Sequence, residues 1–304
     1  MAQPCDDSAE LCAQYVLPRI AAVSFFLITG IVGNGIVLKI YHKEKKQASK
    51  IYIIALAWID LLGCVVILPQ VLVWQSRVFP IESPFTYLYF AEVIIQKQSY
   101  LFVQIAMVLD RIFAVFKPHS FNQMRRKTNK TLVVVFIIKQ TVSQSAAILF
   151  HITRRVVYGV VMTLVYITPF FLGFTLMLVA YPAIALKLWK QSRRIKPTAT
   201  SQQNQPSAAT GNPNKVISET QQRTKHHVKT LKLYVAVLVL YLFAFLSTTL
   251  VAVDLSLKNP WVVYLYYFNS IGNPFIYYVF IEKFRDDVNL MARRIVARLR
   301  GGGS

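Results

Sequence analysis

Acidic residues are scarce: 13 Asp and Glu stand against 34 Lys and Arg, for a formal net charge of +21. Charge of either sign is scarce too, at 15% of 304 residues, while 55% are hydrophobic. An ordinary soluble domain carries roughly 25% charged residues. A chain this apolar has more greasy surface than one soluble core needs, and bilayer-spanning segments are the natural sink for the rest. Cysteine is limited to Cys5, Cys12 and Cys64, which excludes a disulfide framework and a zinc pattern. No His/Glu cluster with metal-ligand spacing appears, and no serine has a general base beside it, so an enzyme is not expected and no catalytic residue is assigned. The basic surplus sits in short blocks between apolar runs, not on a continuous face, which argues against nucleic acid as the partner. No cleavable leader is expected either: residues 1–14 are polar and acidic, with Asp6, Asp7 and Glu10. The first apolar run, beginning near Tyr15, is long enough to act as its own insertion signal.

Seven apolar runs approach the ~20 residues that a spanning helix needs. They cover about 17–40, 51–74, 85–116, 131–150, 156–188, 231–255 and 261–280. The links alternate in charge. The first holds Lys43, Lys45 and Lys46; the third holds Arg125, Arg126 and Lys127; the long link after the fifth run is basic at both ends. The opposite links hold only Arg77, then Arg154 and Arg155, then Lys258. By the positive-inside rule the rich side is cytoplasmic, and an odd number of spans puts the N-terminus outside. The expected fold is an all-α membrane protein: a seven-transmembrane helix bundle with a C-terminal amphipathic membrane-surface helix, placed in the plasma membrane among its lipids. Residues 1–16 read as a short extracellular N-terminus and 17–280 as the bundle. Within the bundle, 189–230 reads as a flexible basic cytoplasmic loop, since 191–222 is rich in Ser, Thr, Gln, Asn and Pro. Residues 281–300 repeat Phe284, Val288, Met291, Ile295 and Leu299 at helical spacing between arginines, as a helix on an anionic leaflet would. Residues 301–304 read as a linker-like tail.

Polar groups in hydrocarbon are expensive and call for a reason. The first run carries Asn34 after Gly33, the second Asp60 at the end of Leu56-Ala57-Trp58-Ile59-Asp60, and the third ends in Asp110-Arg111. The seventh carries Asn269-Ser270-Ile271-Gly272-Asn273-Pro274-Phe275-Ile276-Tyr277. Asn34, Asp60, Asn269, Ser270 and Asn273 satisfy one another only if their helices enclose a shared polar interior. A network that merely glues helices together has the same pattern.

These motifs, in this order and each in its own span, resemble the rhodopsin-like (class A) G-protein-coupled receptors from Gly33 to Arg285. The resemblance implies a receptor that couples an extracellular ligand, a peptide or an acidic small molecule, to a cytoplasmic heterotrimeric G protein. It makes Arg111 the switch arginine and Asp110 its acidic partner. Asn273, Pro274 and Tyr277 become the seventh-helix hinge, where Pro274 removes a backbone hydrogen bond. Phe245 takes the place of the sixth-helix Trp, and Ser247 that of its Pro. Asp60, with Asn34, Asn269, Ser270 and Asn273, matches the polar core that can hold a sodium ion, the one cofactor the resemblance suggests. Tyr100 stands where that site has a small Ser, and Ile112 where the switch triplet has a Tyr. Pro169 fits the fifth-helix proline, but Tyr181 lies too far from it for the family spacing. The family disulfide is missing, and the link around 152–158 is too short for the usual lid.

For the ligand, Val93 occupies the place of the amine-binding Asp. Glu92 is off by one residue, about 100° around the helix. Tyr266 and Tyr267 occupy the region where opsins have their Lys. Lys97 lies about four turns before Arg111 and points into the upper cavity; it either clamps a ligand carboxylate or phosphate, or pairs with a protein acid such as Glu92. Gln96, Gln104, Tyr100, Tyr264, Tyr267 and Phe268 are the other candidate lining residues. A transporter or pore, or a receptor-like protein without signalling, is the alternative reading. A pore predicts internal repeats and broken helices in matching halves, and no such repeat is visible.

Overall fold

The computed structural model describes residues 9–42, 48–75, 84–117, 168–194, 213–253 and 260–301. Those residues are helical. α1 spans Ala9–Tyr41, α2 Ala48–Leu62, α3 Leu68–Gln75, α4 Pro84–Phe116, α5 Thr168–Arg194, α6 Pro213–Val253, α7 Pro260–Phe280 and α8 Glu282–Gly301. The fourth apolar run, the link around 152–158 and Pro118 lie outside the described residues.

The apolar runs dictate this layout. In a bilayer every backbone polar group must be paired within its own segment, so a long apolar run becomes a helix. Among the described residues, five helices are long and apolar enough to cross a membrane: Val16–Tyr41, Lys50–Val73, Gln96–Phe116, Phe170–Arg193 and Thr224–Leu246. Within them only 28% to 50% of the residues are buried by protein. The outward remainder is apolar: Phe25, Ile28 and Val32 on α1, Leu172, Leu178 and Val179 on α5, and Val239, Phe243 and Leu246 on α6 are exposed. Such faces are stable against lipid and would aggregate in water.

The second span is one run but not one regular helix. Gly63–Ile67 forms a π-helical turn between α2 and α3, closed by the Leu68 N–H on the Gly63 carbonyl. Two residues explain it. Pro69 has no N–H to give in the first turn of α3. Gly63 leaves room for the Gln96 amide, which a Cβ there would overlap. Local widening of this kind satisfies the backbone around an intruding side chain.

The helices pack as a bundle in which α6 and α7 share the most extensive interface, and α1 lies against α2, α3 and α7. At the α1–α7 crossing a Cβ on Gly33 would lie 3.0 Å from Pro274 Cγ; a small residue lets the two backbones approach closely. The main core joins Val37, Leu56, Met107, Val108, Met177, Val237 and the buried tyrosines.

Two expectations are corrected here. The low-complexity segment 191–222 is helical at both ends, since α5 continues to Arg194 and α6 begins at Pro213. Pro213 opens α6 where a missing N–H costs nothing, and Val216 to Gln222 has no further breaker. The tail helix α8 runs to Gly301, so that residue belongs to the helix.

Candidate functional site

Two polar layers lie inside the bundle. The first is at mid-span. Asn34 is fully buried and its amide donates to the Gly30 carbonyl at 3.0 Å and to the Ser270 carbonyl at 2.7 Å. It thereby ties α1 to α7, where Pro274 leaves backbone carbonyls one turn back without a donor. Asn273 Nδ2 donates to Asp60 Oδ2 at 2.8 Å, and the Ser270 side chain is a second hydrogen-bond partner of Asp60. Asp60, Asn269, Ser270 and Asn273 are all buried. Among the described residues, Oδ1 of Asp60, Asn269 and Asn273, both amide atoms of Gln104 and the Tyr100 hydroxyl have no hydrogen-bond partner. Buried polar atoms in that position take water or an ion as partners.

The second layer lies at the end of α4 nearest the basic links. The Arg111 guanidinium donates to Asp110 Oδ2 at 2.6 Å, and both side chains are buried. Arg111 also lies 5.2 Å from the centroid of the Tyr234 ring. Tyr234 meets Tyr52 edge-on, and Tyr181 stands within electrostatic reach of both Tyr234 and Arg111. Tyr277 is fully buried and meets Phe284 of α8 edge-on, while Phe284 stacks on Tyr41. α1, α2, α5, α6 and α7 thus each contribute a buried tyrosine to one layer.

That layer was only partly legible in the sequence. The motifs mark Arg111, Asp110 and Tyr277. Tyr41, Tyr52 and Tyr234 stand near the basic ends of otherwise aliphatic runs, which is the signal they leave. Tyr181, set aside on its distance from Pro169, does reach the layer. Eight residues before it is Gly173, which packs against Leu101 and Ile105 of α4, so α5 approaches α4 closely at Gly173.

Above the mid-span layer, the candidate ligand residues separate. Lys97 Nζ lies 5.8 Å from the centroid of the Phe245 ring, a cation–π distance. Phe245 stacks face to face on Phe170, with centroids 3.4 Å apart and planes at 8°, and Tyr241 and Phe174 complete the aromatic cluster. Tyr100 is buried and stacks on Tyr241 at 6.0 Å, and the Tyr241 hydroxyl donates to the Lys97 carbonyl. Gln96 donates instead to the Ile59 carbonyl at 3.3 Å, beside Gly63. Tyr267 is buried against Phe26 of α1. Phe268 is corrected: it is 45% exposed and lies edge-on to Phe26 at 5.1 Å, so it packs on the outer side of α7. Val93 and Tyr264 lie on α4 and α7, but their side chains, like that of Glu92, are outside the described residues.

At the end of α6 nearest the Arg111 layer, the stretch Lys225-His226-His227-Val228 carries no acid. Lys229 Nζ instead donates to Glu282 Oε1 of α8 at 2.7 Å, on the surface. The hydrogen bond and charge of Lys229 hold the Glu282 carboxyl below the usual carboxylate range. His226 stands within electrostatic reach of Arg111.

The profile of the family described as 7 transmembrane receptor (rhodopsin family) matches residues 33–277. The match spans most of the chain and contains both polar layers. The chain therefore belongs to the rhodopsin family of seven-transmembrane receptors, and its fold is the seven-helix membrane bundle of that family. No curated protein matches the sequence.

Proposed function

We propose that this receptor transmits the binding of an extracellular ligand to a cytoplasmic heterotrimeric G protein, from the plasma membrane and without enzymatic chemistry of its own. The observation that carries this reading is the polar track along α7. Asn273 holds Asp60, and one turn further Tyr277 enters the tyrosine layer around the Arg111–Asp110 pair. A shift of α7 against α2 reaches the arginine with no intervening loop. Two packings of that layer, biased by differential ligand affinity, make a population switch. In the resting arrangement Arg111 is spent on Asp110 and Tyr234; releasing it as α6 moves outward opens a cleft for the partner.

The ligand end follows from Lys97. Its ammonium faces the ring of Phe245, the residue in place of the sixth-helix Trp. A carboxylate or phosphate on a peptide or acidic small molecule would draw Lys97 away from that ring. The stack of Phe245 on Phe170 would then be free to change, which links the ligand site to α6 through one side chain.

At mid-span, the oxygens of Asp60, Asn269 and Asn273 that lack a protein donor suit a hard monovalent cation. With Tyr100 in place of a small hydroxyl on α4, α2 and α7 would hold a sodium ion between them. The ion would supply a counter-charge to the buried carboxylate.

The test is a G-protein activation assay in cells expressing the receptor at matched surface levels, screened against peptides and small acids. Ligand-dependent nucleotide exchange supports the reading. Electrogenic flux without G-protein activation would overturn it in favour of a pore.

A further inference from the structure

A cavity borders the tyrosine layer, away from the ligand end. It has a volume of about 360 Å³ and lies between α1, α2, α6, α7 and α8 at the basic end of the bundle. Small-molecule sites occupy roughly 300–1,000 Å³. Its lining, among the described residues, carries Lys50, Lys229, Lys283 and His226 together with Glu282. The floor is aromatic and aliphatic, with Tyr41 at the centre. Lys50 Nζ lies 5.9 Å from the centroid of the Tyr41 ring, and that ring is stacked on Phe284. Lys50 is therefore guided over the cavity by a ring that is itself fixed. Lys229 is exposed and shared with Glu282, a surface pair of small strength that an incoming anion can exchange.

We propose that this cavity is a binding site for a phosphorylated polyol, carried either by an inner-leaflet lipid or free in the cytoplasm. Three lysines lining one cavity, from α2, α6 and the start of α8, match an anion with more than one phosphate. The apolar floor suits the C–H face of a sugar-like ring and disfavours a bare hydrated ion. Basic pockets between transmembrane helices at the cytoplasmic surface recognise phosphorylated headgroups by this chemistry. A bound polyanion would bridge Lys229 on α6 to Lys50 on α2 and Lys283 on α8.

The test uses the full chain in phosphatidylcholine nanodiscs. These expose both faces, so binding does not depend on the proposed orientation or on G-protein coupling. Calorimetric titrations use a short-chain phosphatidylinositol bisphosphate, soluble inositol trisphosphate and, as a comparison, phosphatidylserine. We expect saturable binding that each of Lys50→Gln, Lys229→Gln and Lys283→Gln weakens about fivefold. That is the ~1 kcal/mol one lysine contributes near an anionic surface. Glu282→Gln should tighten binding, because it removes the competing acid. Lys187→Gln, on α5 beside Phe116 and outside the cavity, should change nothing. Binding of the lipid alone assigns the leaflet as the source, and binding of the soluble compound alone assigns a cytoplasmic one; either supports the site. Absence of both, equal binding of phosphatidylserine, or a Lys187→Gln loss as large as that of the cavity lysines would overturn it. A Glu282→Gln variant that binds more weakly would do the same. Thermal unfolding of each variant identifies any loss caused by misfolding, and Lys→Arg at the same positions should then restore binding.

Discussion

At the scale of single residues, the polar core separates side chains that transmit from side chains that merely fit. Arg111 and Tyr277 belong to the first kind: one is ion-paired and ringed by tyrosines, the other fully buried beneath α8. Arg111→Ala and Tyr277→Ala should each reduce G-protein activation at least tenfold while the protein still reaches the surface. Activation assays normalised to surface labelling check this, and full signalling by both would refute the switch. Gly63 is of the second kind. Gly63→Ala places a methyl on the Gln96 amide, an overpacking worth roughly 1–3 kcal/mol. It should lower the melting temperature of the purified receptor, and Gln96→Ala in the same chain should restore part of the loss. Melting temperatures of the two single variants and the double variant measure that coupling. The sequence announced Arg111 through its motif but gave no sign of the contact between Gly63 and Gln96. That contact joins residues 33 positions apart on different helices, and such a pairing leaves no local pattern in the sequence.

At the scale of elements, α6 is held differently from what the missing acid on it implies. The stretch 225–228 holds one lysine, two histidines and a valine, so it offers Arg111 no carboxylate to pair with. The structure puts His226 within electrostatic reach of Arg111, and adds a tie the sequence hides: Lys229 of α6 to Glu282 of α8, 53 residues apart. Such a contact between distant surface residues leaves no periodicity to read. An exposed pair of this kind is weak and screened by solvent, so it biases the two-state population only modestly. The receptor should therefore signal without ligand. Glu282→Gln should raise this basal activity, and His226→Glu, which gives Arg111 an acid on α6, should lower it. Basal second-messenger levels across a range of receptor densities test both, and a Glu282→Gln variant with unchanged output would show that the tie does not restrain α6. Because Lys229 depresses the Glu282 pKa, the tie is intact above the ordinary carboxylate range and weakens only as pH falls through the lowered value. Neutral-pH assays read it fully formed.

At the scale of the whole molecule, the fold was legible because the bilayer restricts it. Long apolar runs permit only helices, so α1, α4 and α7 follow the hydropathy closely, whereas α5 and α6 overlap their runs but extend into the polar link between them. Side-chain direction was less legible. Phe268 and Tyr267 are neighbours in one aromatic run, yet one is exposed and the other buried; the 100° step between them is fixed by how α7 rotates against α1. Orientation rests on a separate argument, from charge. The Arg111 layer, the Lys229–Glu282 tie and the arginines of α8 share the end of the bundle where the basic links emerge. We propose, from the positive-inside rule, that this end faces the cytoplasm. The cost of moving so many cations across a membrane makes the reverse insertion unfavourable. α8 supports the same assignment: Phe284 is buried in the bundle while Arg293, Arg294, Arg298 and Arg300 are exposed, as a helix lying on an anionic leaflet requires. An epitope at the N-terminus should accordingly be labelled on intact cells, and one inserted beside Lys215, at the start of α6, only after permeabilisation. Labelling of the Lys215 epitope on intact cells would invert the topology, moving the Arg111 layer to the outside and removing the basis for G-protein coupling.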